Sequence, residues 1–88
     1  TYYVVGLGAC GWTSVSTDYV VALATEDYDS GSHCGDIVSI TYDGTTSSAT
    51  VVDECEGCSS GDLDMSESLF ETFTTLSVGR FEMSWEYS

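Results

Sequence analysis

The stretch that decides the fold is Val51–Ser66, VVDECEGCSSGDLDMS. It carries two cysteines three positions apart, five acids and a Ser-Ser-Gly turn, set between an apolar run and a helical pattern. An apolar strand that ends in Asp53, an acidic turn and a helix start at Ser66 are expected here. The neighbouring segments extend that pattern in both directions.

Upstream, Val38, Ile40 and Tyr42 alternate with Ser39 and Thr41, and Asp43-Gly44 is a strong hairpin signal, so Asp36–Tyr42 and Ser48–Asp53 are expected to pair as antiparallel strands. Downstream, Leu69, Phe70, Phe73 and Leu76 fall at helical spacing, with Ser66 as N-cap and Glu67 and Glu71 near the positive end of the dipole. Gly79 is expected to end this helix. Phe81, Met83, Trp85 and Tyr87 then alternate with Glu82, Ser84 and Glu86 in a last half-buried strand.

Further toward the N-terminus, Thr25–Gly35 (TEDYDSGSHCG) is loop by composition. Tyr19–Ala24 (YVVALA) has the length of a buried strand; periodicity alone admits a helix, but Tyr and two Val favour a strand. Tyr2–Val5 is a short β-prone run ended by Gly6-Leu7-Gly8. About five strands and one helix indicate a mainly β fold, a small barrel whose closure removes the exposed edges that invite aggregation.

With 88 residues the chain is expected to form one domain over 1–88 around a small core. Apolar residues make up 42% and mean hydropathy is near zero, which places it among globular proteins. Four cysteines and a single Lys or Arg point to a secreted, two-disulfide domain in an oxidising compartment. Thr1-Tyr2-Tyr3 resembles neither a signal peptide nor a membrane span, so the expectation is a mature secreted product whose leader has been removed.

Fifteen acids against Arg80 give a formal charge of −14, which opposes binding to nucleic acid or an anionic membrane. Neutral polymers, basic proteins and cations remain compatible partners, and the same charge also serves plain solubility. Self-repulsion of this size predicts that stability rises as pH falls from about 7 toward 5. A urea midpoint higher at pH 7 than at pH 5 would show instead that specific carboxylate hydrogen bonds outweigh the repulsion.

Four cysteines allow three pairings, and spacing does not choose among them. A zinc site built on Cys55 and Cys58 needs two more ligands, and no second C-x-x-C is present, so no metal and no cofactor is expected. His33 reads as a surface histidine beside Cys34. Asp62-Leu63-Asp64 lacks the ligand ladder of an EF-hand. Asp53 and Asp64 lie eleven residues apart on either side of the turn, a placement open both to solvated carboxylates and to a pair facing one groove.

Four segments together resemble a known family: TYYVVGLGACGW at 1–12, YVVALA at 19–24, HCGDIVSIT at 33–41 and VVDECEGCSSGDLDMSESLF at 51–70. They look like the six-stranded double-psi β-barrel of expansins, fungal loosenins, barwin-like defence proteins and bacterial rare-lipoprotein-A-like proteins. The likeness is greatest to the single-domain loosenins, which lack the C-terminal carbohydrate-binding module of expansins. The resemblance implies one short α-helix and pairs Cys10 with Cys34, leaving Cys55 with Cys58. On the chain-entropy model the first bridge is worth roughly 3 to 3.5 kcal/mol and the second about 2 at most.

The resemblance further implies that Asp53 and Asp64 flank a polysaccharide groove, joined by Thr1. Cys55 stands where bacterial expansins place a tyrosine, so part of the aromatic surface is expected to be absent, or rebuilt from Tyr3, Trp12 or Tyr28. Inverting endoglucanases on this barrel pair an acid at the position of Asp64 with a base shortly after the T-x-Y segment, where this chain has Val4-Val5-Gly6. The implied function is therefore a monomeric, secreted, non-hydrolytic loosener of cellulose, chitin or xylan. Two alternatives stay open: a protein-binding effector or cysteine-protease inhibitor of the barwin or kiwellin type, acting through Thr25–Gly35 and Glu54–Ser60, and a lytic transglycosylase that uses Asp64 as its single acid.

Overall fold

Val20-Val21-Ala22-Leu23-Ala24 is buried throughout, and it forms the interior strand β1 (Val20–Ala24) of the computed structural model, which describes residues 1–88. Branched side chains and alanines without polar atoms suit a strand covered on both faces. The other strands are β2 (Ile37–Tyr42), β3 (Thr45–Cys55), β4 (Leu63–Met65) and β5 (Ser84–Tyr87). They form one sheet in the order β4-β1-β3-β2-β5.

β2 and β3 make the expected hairpin, with Tyr42 opposite Thr45. Asp43 (φ 49°) and Gly44 (φ 81°) both have positive φ, as a two-residue type I′ turn requires. The β1–β3 pair is parallel, whereas β4 and β5 join antiparallel to β1 and β2. Val21, Leu23, Val38, Ile40, Val51, Leu63, Met65, Leu69 and Phe70 build the core with Ala49. Phe81, Met83 and Trp85 cover it from the β5 side.

The six-strand, one-helix expectation is corrected to five strands and two short α-helices. Of Tyr2–Val5, only Tyr2 makes a bridge, parallel to Met65. Tyr3 N–H donates to Met65 O and Met65 N–H to Thr1 O, both at 2.9 Å, so Thr1–Tyr3 lies along β4 without extending into a strand. Thr25–Gly35 is not all loop. Thr25–Tyr28 is a one-turn helix, α1, followed by a 3₁₀ turn over Asp29–Gly31. Positive φ at Asp29, Ser30 and Gly31 stops it there.

The second helix, α2, spans Glu67–Phe73 and ends at Thr74, not at Gly79. Thr74 and Thr75 are extended, a state their β-branched side chains favour. Gly79 (φ 75°) closes a separate 3₁₀ turn over Leu76–Val78. Ser66 occupies the N-cap position without a side-chain cap bond. Its hydroxyl faces Val20 N–H at 3.4 Å, tying the start of α2 to β1. Cys10 is bonded to Cys34 and Cys55 to Cys58.

Candidate functional site

Ala22 pairs with Asp53 on one side and with Asp64 on the other. Residues directly across neighbouring strands point to the same face, so both carboxylates lie on one face with the small, buried Ala22 between them. Two strand spacings set their Cα atoms about 10 Å apart. Leu63 and Met65, at 2% and 1% exposure, point into the core, which turns Asp64 outward by simple alternation.

Asp53 needs a different device. Val51 pairs with Val21 and belongs to the core, so plain alternation along β3 would point Asp53 inward as well. The register instead slips between Val21 and Ala22, leaving Val52 as an extra residue. A bulge of this kind re-aims the side chain that follows it, here onto the outer face. The turn at Gly8–Trp12 packs on this bulge: Cys10 N–H donates to Val52 O at 3.2 Å and Ala9 N–H to Asp53 Oδ1 at 2.8 Å. Asp53 Oδ1 also accepts from Glu54 N–H at 2.8 Å. One oxygen of Asp53 is thus held by backbone, and no protein donor takes the other.

Asp64 is held similarly, with Thr1 Oγ1 donating to Oδ1 at 2.8 Å. Its Oδ2 lies 3.9 Å from Cys55 Sγ, a contact and not a hydrogen bond because a disulfide sulfur carries no proton. Tyr3 stands beside both acids. Burial first, then the charges of Asp53 and Asp64, raise its phenol well above the usual tyrosine range.

The native state therefore keeps the Tyr3 proton to higher pH than the unfolded chain does. This contribution is complete below about pH 10 and is lost as pH rises above it. Urea midpoints should decline more steeply between about pH 9.5 and 11.5 in the wild type than in Tyr3→Phe. Equal slopes would remove Tyr3 from this environment.

The structure therefore brings together Thr1, Tyr3, Asp53 and Asp64. Trp12 stands at the margin: half exposed, its ring covers Gly35, where an added Cβ would come within 3.3 Å. The Tyr28 ring packs against the core and its hydroxyl lies 3.6 Å from Cys34 Sγ. His33 pairs with Asp36 at 2.9 Å and stacks on Tyr87, away from the β1 surface.

Sequence reasoning missed three participants. Ala22 could have been found as the small residue within a bulky apolar run, and Gly8 as the backbone contact point of the bulge. Asp27 had no sequence signal. It accepts from Ser60 Oγ (2.8 Å) and Gly61 N–H (2.6 Å), and with Trp85 Nε1, which donates to Gly61 O (2.9 Å), it fastens the acidic turn to the body.

The site is an open surface and not a cavity. The larger hollow, about 250 Å³, lies on the β2–β5 flank among Ser39, Thr41, Ser84, Trp85 and Glu86. A small one of about 50 Å³ adjoins Thr1 near Asp62 and Arg80. Asp62 and Arg80 form a loose ion pair at 3.6 Å. Cys55 Sγ, Cys58 Sγ and an Asp64 oxygen lie within 4.8 Å of one another, but disulfide sulfurs are not thiolate ligands.

The mainly β fold is shared with a bacterial expansin and a papain inhibitor of Streptomyces, neighbours that fit a double-psi β-barrel. Streptomyces papain inhibitor superposes with a TM-score of 0.88 at 26% identity, covering 99% of this chain and 87% of that one. Apo expansin of Clavibacter michiganensis gives 0.86 at 28% identity, covering 98% of this chain and 43% of that one. An Asp-to-Asn variant of that expansin, in complex with cellohexaose, gives 0.87 at 24% identity over 97% and 43%.

In sequence, the chain is 41% identical over 95 residues to allergen Asp f 7 of Aspergillus fumigatus, and 41% identical over 76 residues to an Asp f 7 homolog of Arthroderma benhamiae. These alignments take in 100% and 80% of this chain but 35% and 26% of the relatives, so the chain spans about a third or less of their length. No family model matches the sequence.

Proposed function

We infer that the Thr1–Asp64–Ala22–Asp53 face binds a neutral cell-wall polysaccharide of the cellulose, chitin or xylan type and loosens its network without hydrolysis, as a monomeric secreted domain. The observation that carries this is the register that sets Asp53 and Asp64 on the two sides of Ala22, each with one oxygen pinned by the protein and one left for a ligand. Fixed acceptors suit sugar hydroxyls, and Tyr3 adds an amphipathic ring beside them. The −14 charge opposes polyanions and leaves neutral glycans unopposed. Two disulfides are consistent with an extracellular setting. The same reading takes the five-stranded sheet, with Thr1–Tyr3 laid along β4, as a double-psi β-barrel that makes residues 1–88 one domain.

Hydrolysis by inversion would need a water-activating carboxylate, and Val4-Val5-Gly6 offers none. Pull-down on cellulose, chitin, xylan and peptidoglycan with reducing-end detection tests binding and cleavage together: retention on a neutral polymer without new reducing ends is expected. Retention on none of them would end this reading, and anhydro-sugar ends by mass spectrometry would replace it with single-acid lytic cleavage through Asp64.

A second reading, cysteine-protease inhibition, is favoured by the papain inhibitor, of which this chain covers twice the share that it covers of the expansin. The α1 region and the acidic turn would face the protease, and the negative surface suits a basic partner. Inhibition of papain at micromolar protein, undiminished in the Asp53→Asn/Asp64→Asn double variant, would establish it.

A further inference from the structure

The acidic turn holds a disulfide that sugar binding does not use. Cys55 and Cys58 are half-buried, and Asp64 on the neighbouring segment points its free oxygen at their bridge. We propose that reducing the Cys55–Cys58 disulfide converts this wall of the groove into a site for a thiophilic divalent cation such as zinc, with Cys55 Sγ, Cys58 Sγ and Asp64 Oδ2 as ligands.

The three donors already lie within 4.8 Å of one another. Bonds of about 2.3 Å to sulfur and 2.0 Å to oxygen at a tetrahedral angle place sulfur and oxygen about 3.5 Å apart, against 3.9 Å between Cys55 Sγ and Asp64 Oδ2. Two residues between cysteines is the commonest spacing for paired zinc thiolates. Both backbones stay anchored when the sulfurs part: Cys55 pairs with Ala24 in the sheet, and Cys58 N–H donates to Cys55 O at 3.2 Å. The hydroxyl of Thr1, bonded to Oδ1, orients the carboxylate ligand as outer-shell partners do at metal sites. A fourth position stays open toward the groove. The surrounding negative charge favours a cation.

The step balances with a phosphine as reductant. Phosphorus supplies two electrons to the sulfur–sulfur bond and takes its oxygen from water to become phosphine oxide, and the two protons of that water end on the two thiols. Metal capture then releases both protons as the thiolates form. The Cys10–Cys34 bridge closes 24 positions of chain and not three, so its loss costs the fold more and it is expected to survive limited reduction.

The test uses the full chain. Limiting phosphine followed by differential alkylation should label Cys55 and Cys58 first, with far-ultraviolet circular dichroism unchanged. Cobalt(II) added to the reduced chain should give a thiolate-to-metal charge-transfer band that saturates at one equivalent, is displaced by zinc, and is accompanied by release of two protons. Oxidised protein and the Cys55→Ser/Cys58→Ser variant should give no band. Asp64→Asn should keep the band with affinity lower by about tenfold or more, and Thr1→Val should weaken it less. Earlier labelling of Cys10 and Cys34, unfolding on opening Cys55–Cys58, absence of the band in reduced wild type, or equal affinity in Asp64→Asn would each overturn the proposal. None of these readouts involves a sugar, so this inference and the polysaccharide reading fail separately.

Discussion

Gly8→Ala is expected to lower the urea midpoint by the equivalent of about 2 to 3 kcal/mol, the range of overpacked positions that cannot relax. A Cβ at Gly8 would meet Val52 O at 2.3 Å, Val52 C at 3.2 Å and Asp53 Cβ at 3.3 Å. Backbone, not a flexible side-chain tip, blocks it, so the turn would have to lift off the bulge. That movement breaks the bonds from Ala9 N–H to Asp53 and from Cys10 N–H to Val52, and it should weaken ligand binding along with stability. Gly6→Ala is the control: nothing lies within 4 Å of its added Cβ and it should change stability by less than about 0.5 kcal/mol. Equal midpoints for the two variants would show that the turn does not press on the bulge.

The second large effect is on binding. Asn at 53 or 64 can keep its carbonyl oxygen toward the protein donors that now hold Oδ1, while its amide group replaces the free carboxylate oxygen and turns an acceptor into a donor. A hydrogen bond to a charged acceptor contributes about 1.5 to 3 kcal/mol and a neutral one roughly 0.5 to 1.5. Each of Asp53→Asn and Asp64→Asn should therefore weaken retention on the bound polymer by about 5- to 30-fold, with the urea midpoint nearly unchanged. With Ala22 between them the sites are about 10 Å apart, and the double variant should show the product of the two losses. Affinity unchanged in the double variant, on a polymer that the wild type retains, would remove both aspartates from the interface.

Much of the scaffold was legible because its signals are local. The run Val20–Ala24, the alternation at Val38 and Ile40 and the Asp43-Gly44 turn each specify a strand or a hairpin within a few residues. What stayed hidden depends on distant partners. The slip at Val52 is stabilised by backbone donors from residues 8 to 12, so nothing within β3 announces it. β4 has three residues, too few for an alternation pattern, and exists because β1 pairs along it. Ser66 looked like a helix cap, and its hydroxyl instead serves Val20, more than forty positions away. Asp53 and Asp64 stood out only through family resemblance, since in a chain with fifteen acids two near a turn carry little weight. Tyr28 entered only through the resemblance, as one of three aromatics for a surface where Cys55 stands in place of a tyrosine, and α1 packs its ring against the core.

The parallel pairing of β1 with β3 bears on when the acidic face comes into being. Parallel neighbours cannot be joined by a tight turn, and Thr1 meets Asp64 across 63 positions of sequence. Contacts of such long range carry a larger loop-closure cost than the β2–β3 hairpin and the helices. A partly folded molecule would lack this face, so any ligand that the face binds would report that the chain has finished folding. By mass action the same ligand holds it there, by about 2.7 kcal/mol at a hundredfold excess over Kd.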